Sequence, residues 1–70
     1  MTTIISFWIL DDLDQEGSVC LADEALEAGR AGQRSVVLTV PELGGNVYVI
    51  YDGDQPPVLH NIRQHLREMG

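Results

Sequence analysis

Two short runs constrain this chain more than any other feature. Ser35–Val40 (Ser-Val-Val-Leu-Thr-Val) and Asn46–Tyr51 (Asn-Val-Tyr-Val-Ile-Tyr) are rich in β-branched and aromatic residues, whose side chains fit a pleated, half-buried surface. Between them Pro41-Glu42-Leu43-Gly44-Gly45 supplies turn chemistry, so the pair predicts a hairpin with a longer loop. Side chains alternate along a strand. Asn46 and Tyr48 therefore share one face, and Val47, Val49 and Tyr51 the other. A hairpin alone is marginal in water, so the rest of the 70 residues must cover it. That length allows one core and no second domain, and a chain so short buries only about 60% of its unfolded surface.

The remaining segments supply the cover. Thr3–Leu10 is apolar on both faces, as expected of a strand covered on both sides. It carries no basic residue, ends at Asp11 and Asp12, and falls short of the ~20 apolar residues of a membrane span. Asp11–Gly17 reads as a polar turn, and Ser18–Leu21 as either a short returning strand or the first turn of a helix. From Asp23 the period becomes helical: Ala22, Ala25, Leu26 and Gly29 share a face, Asp23 is placed to cap the helix, and Gly29 and Gly32 are expected to end it early. Asp52–Pro57 breaks the sheet, with prolines suited to a first helical turn. Val58, Leu59, Ile62, Leu66 and Met69 then mark the buried face of a closing helix of about three turns, with His60, Arg63, Gln64 and Arg67 opposite. The fold class expected is α+β: an antiparallel sheet of three to four strands with two helices packed on it, over residues 1–70 as a single compact domain. Phe7, Trp8, Tyr48 and Tyr51 are expected in the core or on a sheet face. One cysteine excludes an internal disulfide and fits a reducing compartment, with Cys20 expected as a small buried hydrophobe. Small folds without staples lean on association, so either a monomer or a homodimer is expected.

Charge is the second constraint. Eleven acids stand against four arginines, with no lysine, for a net charge of −7. Residues 1–29 hold Asp11, Asp12, Asp14, Glu16, Asp23, Glu24 and Glu27 and no base; in residues 30–70, Glu42, Asp52, Asp54 and Glu68 cancel the four arginines. The whole net charge thus lies between Asp11 and Glu27. Such a balance disfavours direct binding to nucleic acid phosphates. It suits a basic surface, such as a groove that normally holds nucleic acid, and those seven acids are the expected partner-binding residues.

Chemistry-bearing patterns are sparse. Asp12, Asp14 and Glu16, with Gly17 and Asp23 behind, space oxygen donors like the opening of a calcium loop, but a calcium loop wants Glu at its twelfth position and a helix before its first. A solvated acidic turn is the simpler reading. His60 and His65 are five apart, a poor spacing for a metal pair. No glycine-rich phosphate loop, nucleophile elbow or zinc-spaced cluster is present, and without lysine there is no Schiff base or P-loop. The expectation is a binding protein without catalytic residues, metal or cofactor.

A very short, lysine-free, acidic αβ chain with the stretch Asp11–Glu27 and the segment Asp23-Glu24-Ala25-Leu26-Glu27-Ala28-Gly29-Arg30 resembles the small phage-encoded anti-CRISPR proteins. That resemblance is one of class. It implies an inhibitor from a phage or mobile element, acting in the cytoplasm of a bacterial host cell. Such a protein would bind a subunit of a CRISPR-Cas surveillance complex, or another basic nucleic-acid-binding protein, and block DNA recognition by imitating DNA charge. Val40-Pro41-Glu42-Leu43-Gly44-Gly45 and Asp23-Glu24-Ala25-Leu26 also look like the turn and helix of the HicB-type antitoxins, in reversed order. That second likeness implies an antitoxin-like or housekeeping interaction module using the hairpin or the last helix.

Overall fold

The computed structural model describes residues 1–70 in full. Strands β1 (Thr3–Ile9), β2 (Arg34–Val40) and β3 (Gly45–Asp52) and helices α1 (Gln15–Arg30) and α2 (Leu59–Met69) follow in the order β1-α1-β2-β3-α2. The sheet order is β1-β3-β2, and both pairings are antiparallel. The class is α+β with a three-stranded antiparallel sheet and two helices, as the segment pattern predicts.

The hairpin forms where expected. β2 and β3 pair from Arg34 opposite Tyr51 to Val40 opposite Gly45, and Pro41–Leu43 closes the turn as a short 3₁₀ segment with Gly44 in the left-handed region. β1 then adds to the free side of β3, with Phe7 opposite Val49 and Ile9 opposite Val47. The last third of the chain thus supplies the central strand, and Val47, Val49, Ile50 and Tyr51 of β3 are all buried.

A register shift between Ile4 and Ser6 inserts one extra residue into β1. The bulge reverses the alternation beyond it. Ile4 and Phe7, three apart, therefore both pack against the cluster of Val40, Val47, Val49 and Ile62, while Ser6 lies opposite Ile50 and Trp8 opposite Tyr48. Val49 and Ile50 are neighbours in a strand and point to opposite faces. Ile62, Leu59 and Leu66 of α2 cover the Val49 face; the edge of Phe7 meets the His65 ring there at 6.0 Å, nearly perpendicular. Ala28 of α1 lies against the other face, by Ile5, Ser6 and Ile50.

Several expectations are corrected at the helices. α1 begins at Gln15 and runs 16 residues; neither the cap at Asp23 nor the early end at Gly29 is found. Ser18–Leu21 is helical. In α2, Pro56 and Pro57 precede the helix instead of opening it. The Val58 N–H donates to Asn61 Oδ1 at 2.8 Å to close its first turn. Val58 and Met69, expected on its buried face, are exposed; Val58 is the residue before the helix and Met69 its last. No helix is long and apolar enough to cross a membrane.

Candidate functional site

The acidic segment is built around the start of α1. Leu10–Asp12 forms one 3₁₀ turn, and Asp14 then adopts extended backbone as the N-cap, its Oδ1 accepting the Gly17 N–H at 2.7 Å. A helix leaves its first N–H groups without partners, and a capping carboxylate satisfies one of them. Gly17 fits tightly here, since a Cβ would stand 3.0 Å from Leu13 Cδ2 and 3.1 Å from Asp14 Oδ1.

All seven predicted acids are exposed, but they divide into two groups. Three hold the structure together. Asp14 caps α1, Glu27 pairs with Arg30 at 2.8 Å, and Asp11 Oδ2 accepts the Asn46 N–H at 3.3 Å. Asp11 also lies flush on Gly45, where φ is +151° and a Cβ would fall 1.8 Å from its Oδ2. Glycine at this position thus lets a carboxylate from the β1–α1 connection close over the start of β3. The other four, Asp12, Glu16, Asp23 and Glu24, make no hydrogen bond or ion pair within the chain.

Helical geometry sets how these acids are displayed. At 3.6 residues per turn Asp23 and Glu27 fall within about 20° of Glu16 around the axis, and Glu16 to Glu27 spans about 16 Å. Glu24 turns toward β1 and, with Glu27, borders a recess that Ile5, Ser6 and Ile50 also line. Along the axis these four carboxylates are unevenly placed, about 10 Å from Glu16 to Asp23, about 1.5 Å on to Glu24 and about 4.5 Å on to Glu27. They concentrate charge without reproducing the regular spacing of about 3.4 Å along one DNA strand.

The buried side of α1 is not the one the sequence predicts. Gly17, Leu21, Ala25 and Ala28 turn inward; Leu26 is 61% exposed and Ala22 is exposed too. Val19 (59% exposed), Ala22 and Leu26 form an apolar ridge on the pole away from the sheet, about a quarter of a turn from the acidic stripe. Cys20, expected to be buried, is exposed near Glu16, because the longer helix places it outside the inward face.

Two of the four arginines, Arg63 and Arg67, lie across the sheet on α2. Arg63 Nε donates to Glu42 Oε2 at 2.6 Å and Nη2 to Oε1 at 3.2 Å, a forked pairing that joins α2 to the hairpin turn. The Arg63 hydrogen bond holds the Glu42 carboxyl below its ordinary range, and Glu42 in turn raises Arg63. The partner of Arg63 is therefore in the hairpin turn. Arg67 and His60 stand beside this pair without an ion pair of their own.

For the calcium-like spacing, Asp14 is spent on its cap, and Gln15–Asp23 is helical instead of looped. No three His, Cys, Asp or Glu side chains converge closely enough to hold a metal ion. Nothing in the sequence distinguished the four free acids from the three engaged ones; the local signal for the true helix start was a capping Asp14 with Glu16 in the turn that follows. Compared with known proteins, the chain matches no family model, no curated protein and no solved structure.

Proposed function

We propose that the protein binds a basic protein surface through the carboxylates displayed by α1 and the turn before it, and so occludes a site that normally holds nucleic acid. The observation that carries this reading is that Asp12, Glu16, Asp23 and Glu24 are exposed and unpartnered on α1 and the 3₁₀ turn before it, with no base between Met1 and Gly29. Unpartnered surface carboxylates contribute little to a fold, yet they create a field that steers a cationic partner and speeds encounter. Their concentration on one side of the molecule, without an intervening base, supports a basic channel for DNA or RNA as the target. An inhibitor of a CRISPR-Cas surveillance complex, acting in a bacterial cytoplasm, is the specific form of the proposal. It rests on resemblance of class together with this charge display.

The test is competition with DNA for a surveillance complex, read by gel shift, using wild type and a Glu16→Lys, Asp23→Lys, Glu24→Lys variant. The wild type should displace DNA, and displacement should weaken steeply between low and moderate salt because exposed charges are screened. The triple variant should lose it while keeping its helical circular dichroism. Equal displacement by both proteins would refute the assignment of the surface. An interaction module centred on the hairpin is the second reading. The observation favouring it is the open β2 edge, with Val37 half exposed.

A further inference from the structure

The sheet has two edges, β1 and β2, and they are finished differently. An edge strand presents unpaired N–H and C=O groups that template pairing with another strand, and proteins blunt such edges with bulges, prolines or inward charges. β1 carries a bulge at Ile5. β2 (Arg-Ser-Val-Val-Leu-Thr-Val) is regular throughout its pairing with β3 and has no proline, no acid and one charge, Arg34, at its first residue. Val37 at its centre is 51% exposed.

From this difference we infer that β2 is an interface for a second copy of the chain, which pairs β2 with β2 antiparallel about Val37 and makes one six-stranded sheet. Among antiparallel self-pairings, this register engages all seven residues of the strand. Val37 faces its own copy, Val36 faces Leu38, Ser35 faces Thr39 and Arg34 faces Val40. Each of these is a compatible cross-strand pair, and no charge faces its like. Val36 and Leu38 already pack against the Val40–Val47–Val49–Ile62 cluster, so their pairing continues the apolar layer across the twofold axis. The contact is isologous, and it closes at two copies.

Charge placement permits this despite −7 per chain. The α1 flank carrying Glu24 and Glu27 leans toward β1. The flank turned the other way carries Ser18, Ala22, Ala25 and Gly29, all small and uncharged. Glu42, next after β2, is neutralised by Arg63. The uncharged edge therefore lies away from the free acids, and the dimer would leave both acidic surfaces open. A seven-residue strand is about 23 Å long and the molecule 19 Å thick along its shortest axis. The contact thus covers at most roughly 440 Å² per partner, about 880 Å² in total, which is below the ~1,000 Å² of a stable interface and in the size class of weak, transient ones. A weak, reversible dimer with a dissociation constant on the order of 100 µM is expected.

Sedimentation velocity from about 1 µM to about 500 µM should show a monomer–dimer transition that persists or tightens as salt is raised, since residual repulsion between two acidic chains is screened. Loss of acidic-partner binding with salt has the opposite sign, so this inference and the proposed function fail separately. Val37→Lys places two ammonium groups face to face and should leave a folded monomer over the whole range. In a Cys20→Ser background, Val37→Cys should form an intermolecular disulfide under copper–phenanthroline, because a directly opposed pair satisfies disulfide geometry. Thr39→Cys, which faces Ser35, should not. A wild type that stays monomeric at the highest concentration, a dimer that survives Val37→Lys, or equal cross-linking at positions 37 and 39 would each overturn the inference.

Discussion

Where α1 begins decides which carboxylates are structural and which are free, and three substitutions at two positions test it. Asp14 caps the helix through a 2.7 Å bond to the Gly17 N–H, whereas Asp23 lies mid-helix with its side chain in solvent. Replacing a capping Asp by Ala costs about 1 kcal/mol, within a range of 0.5–2. A domain of this size holds roughly 4–10 kcal/mol in all. At about 4–8 °C per kcal/mol, Asp14→Ala should lower the melting temperature by about 4–8 °C. Asp14→Asn keeps an acceptor oxygen at the cap and loses only the charge facing the helix N-terminus, worth about 0.3–1 kcal/mol, so it should fall between Asp14→Ala and wild type. Asp23→Ala removes no hydrogen bond and gains helix propensity, so its effect should lie within about 0.5 kcal/mol of zero, on the stabilising side. Thermal circular dichroism at 222 nm, supported by urea titration, measures all three. Asp23→Ala more damaging than Asp14→Ala, or Asp14→Ala no worse than Asp14→Asn, would refute the assigned helix start.

Other consequences are open to equally direct measurement. Ile62 is fully buried among Val40, Val47 and Val49; Ile62→Ala should cost about 2–5 kcal/mol and leave a visible unfolded fraction at room temperature in urea titration. Gly45→Ala should destabilise by about 1–3 kcal/mol from its positive φ, and more from contact with Asp11. Adding Asp11→Ala should recover part of that loss in a double-mutant cycle. Glu42 titrates below its ordinary value near 4.5 in the folded chain. The stabilisation linked to its ionisation is therefore present above pH 4.5 and lost as pH falls through the depressed folded value. Comparing wild type with Glu42→Gln across pH should show a gap in melting temperature that closes under acid and does not widen in alkali.

How much of this was legible in the sequence depended on how distinctive each local pattern was. The hairpin was readable because β-branched runs and a Pro–Gly–Gly turn agree with each other and with the sheet. α2 was readable in its interior because Leu59, Ile62 and Leu66 are large and the intervening residues are polar. α1 was not, for a physical reason: with alanine or glycine at 17, 22, 25, 28 and 29, small residues lie on several sides of the helix. Periodicity then cannot tell the face resting on Ile50 from the one carrying Leu26. Ser18-Val19-Cys20-Leu21 added a β-like local signal that the surrounding helix overrode. Within the acidic stretch the sequence located the carboxylates but not their engagement. Asp11 is drawn to Gly45 by a contact between positions 34 apart, which no local rule anticipates. The bulge at Ile5 was hidden in the same way, since an uninterrupted apolar run looks alike in either register.

The middle position of β3 has a consequence for how the chain is made. β1 has no neighbour but β3, and its partners lie roughly forty or more residues downstream. At 5–20 residues per second of synthesis, the apolar segment Ile4–Leu10 waits about 2–8 s after translation before its pairing strand exists, and α1 waits with it. The hairpin closes locally as soon as β3 emerges, so the earliest-made strand is the last to be seated. During that interval the nascent chain shows the cell a bare hydrophobic strand followed at once by Asp11, Asp12 and Asp14. These three charges guard it against association until its place in the sheet is ready.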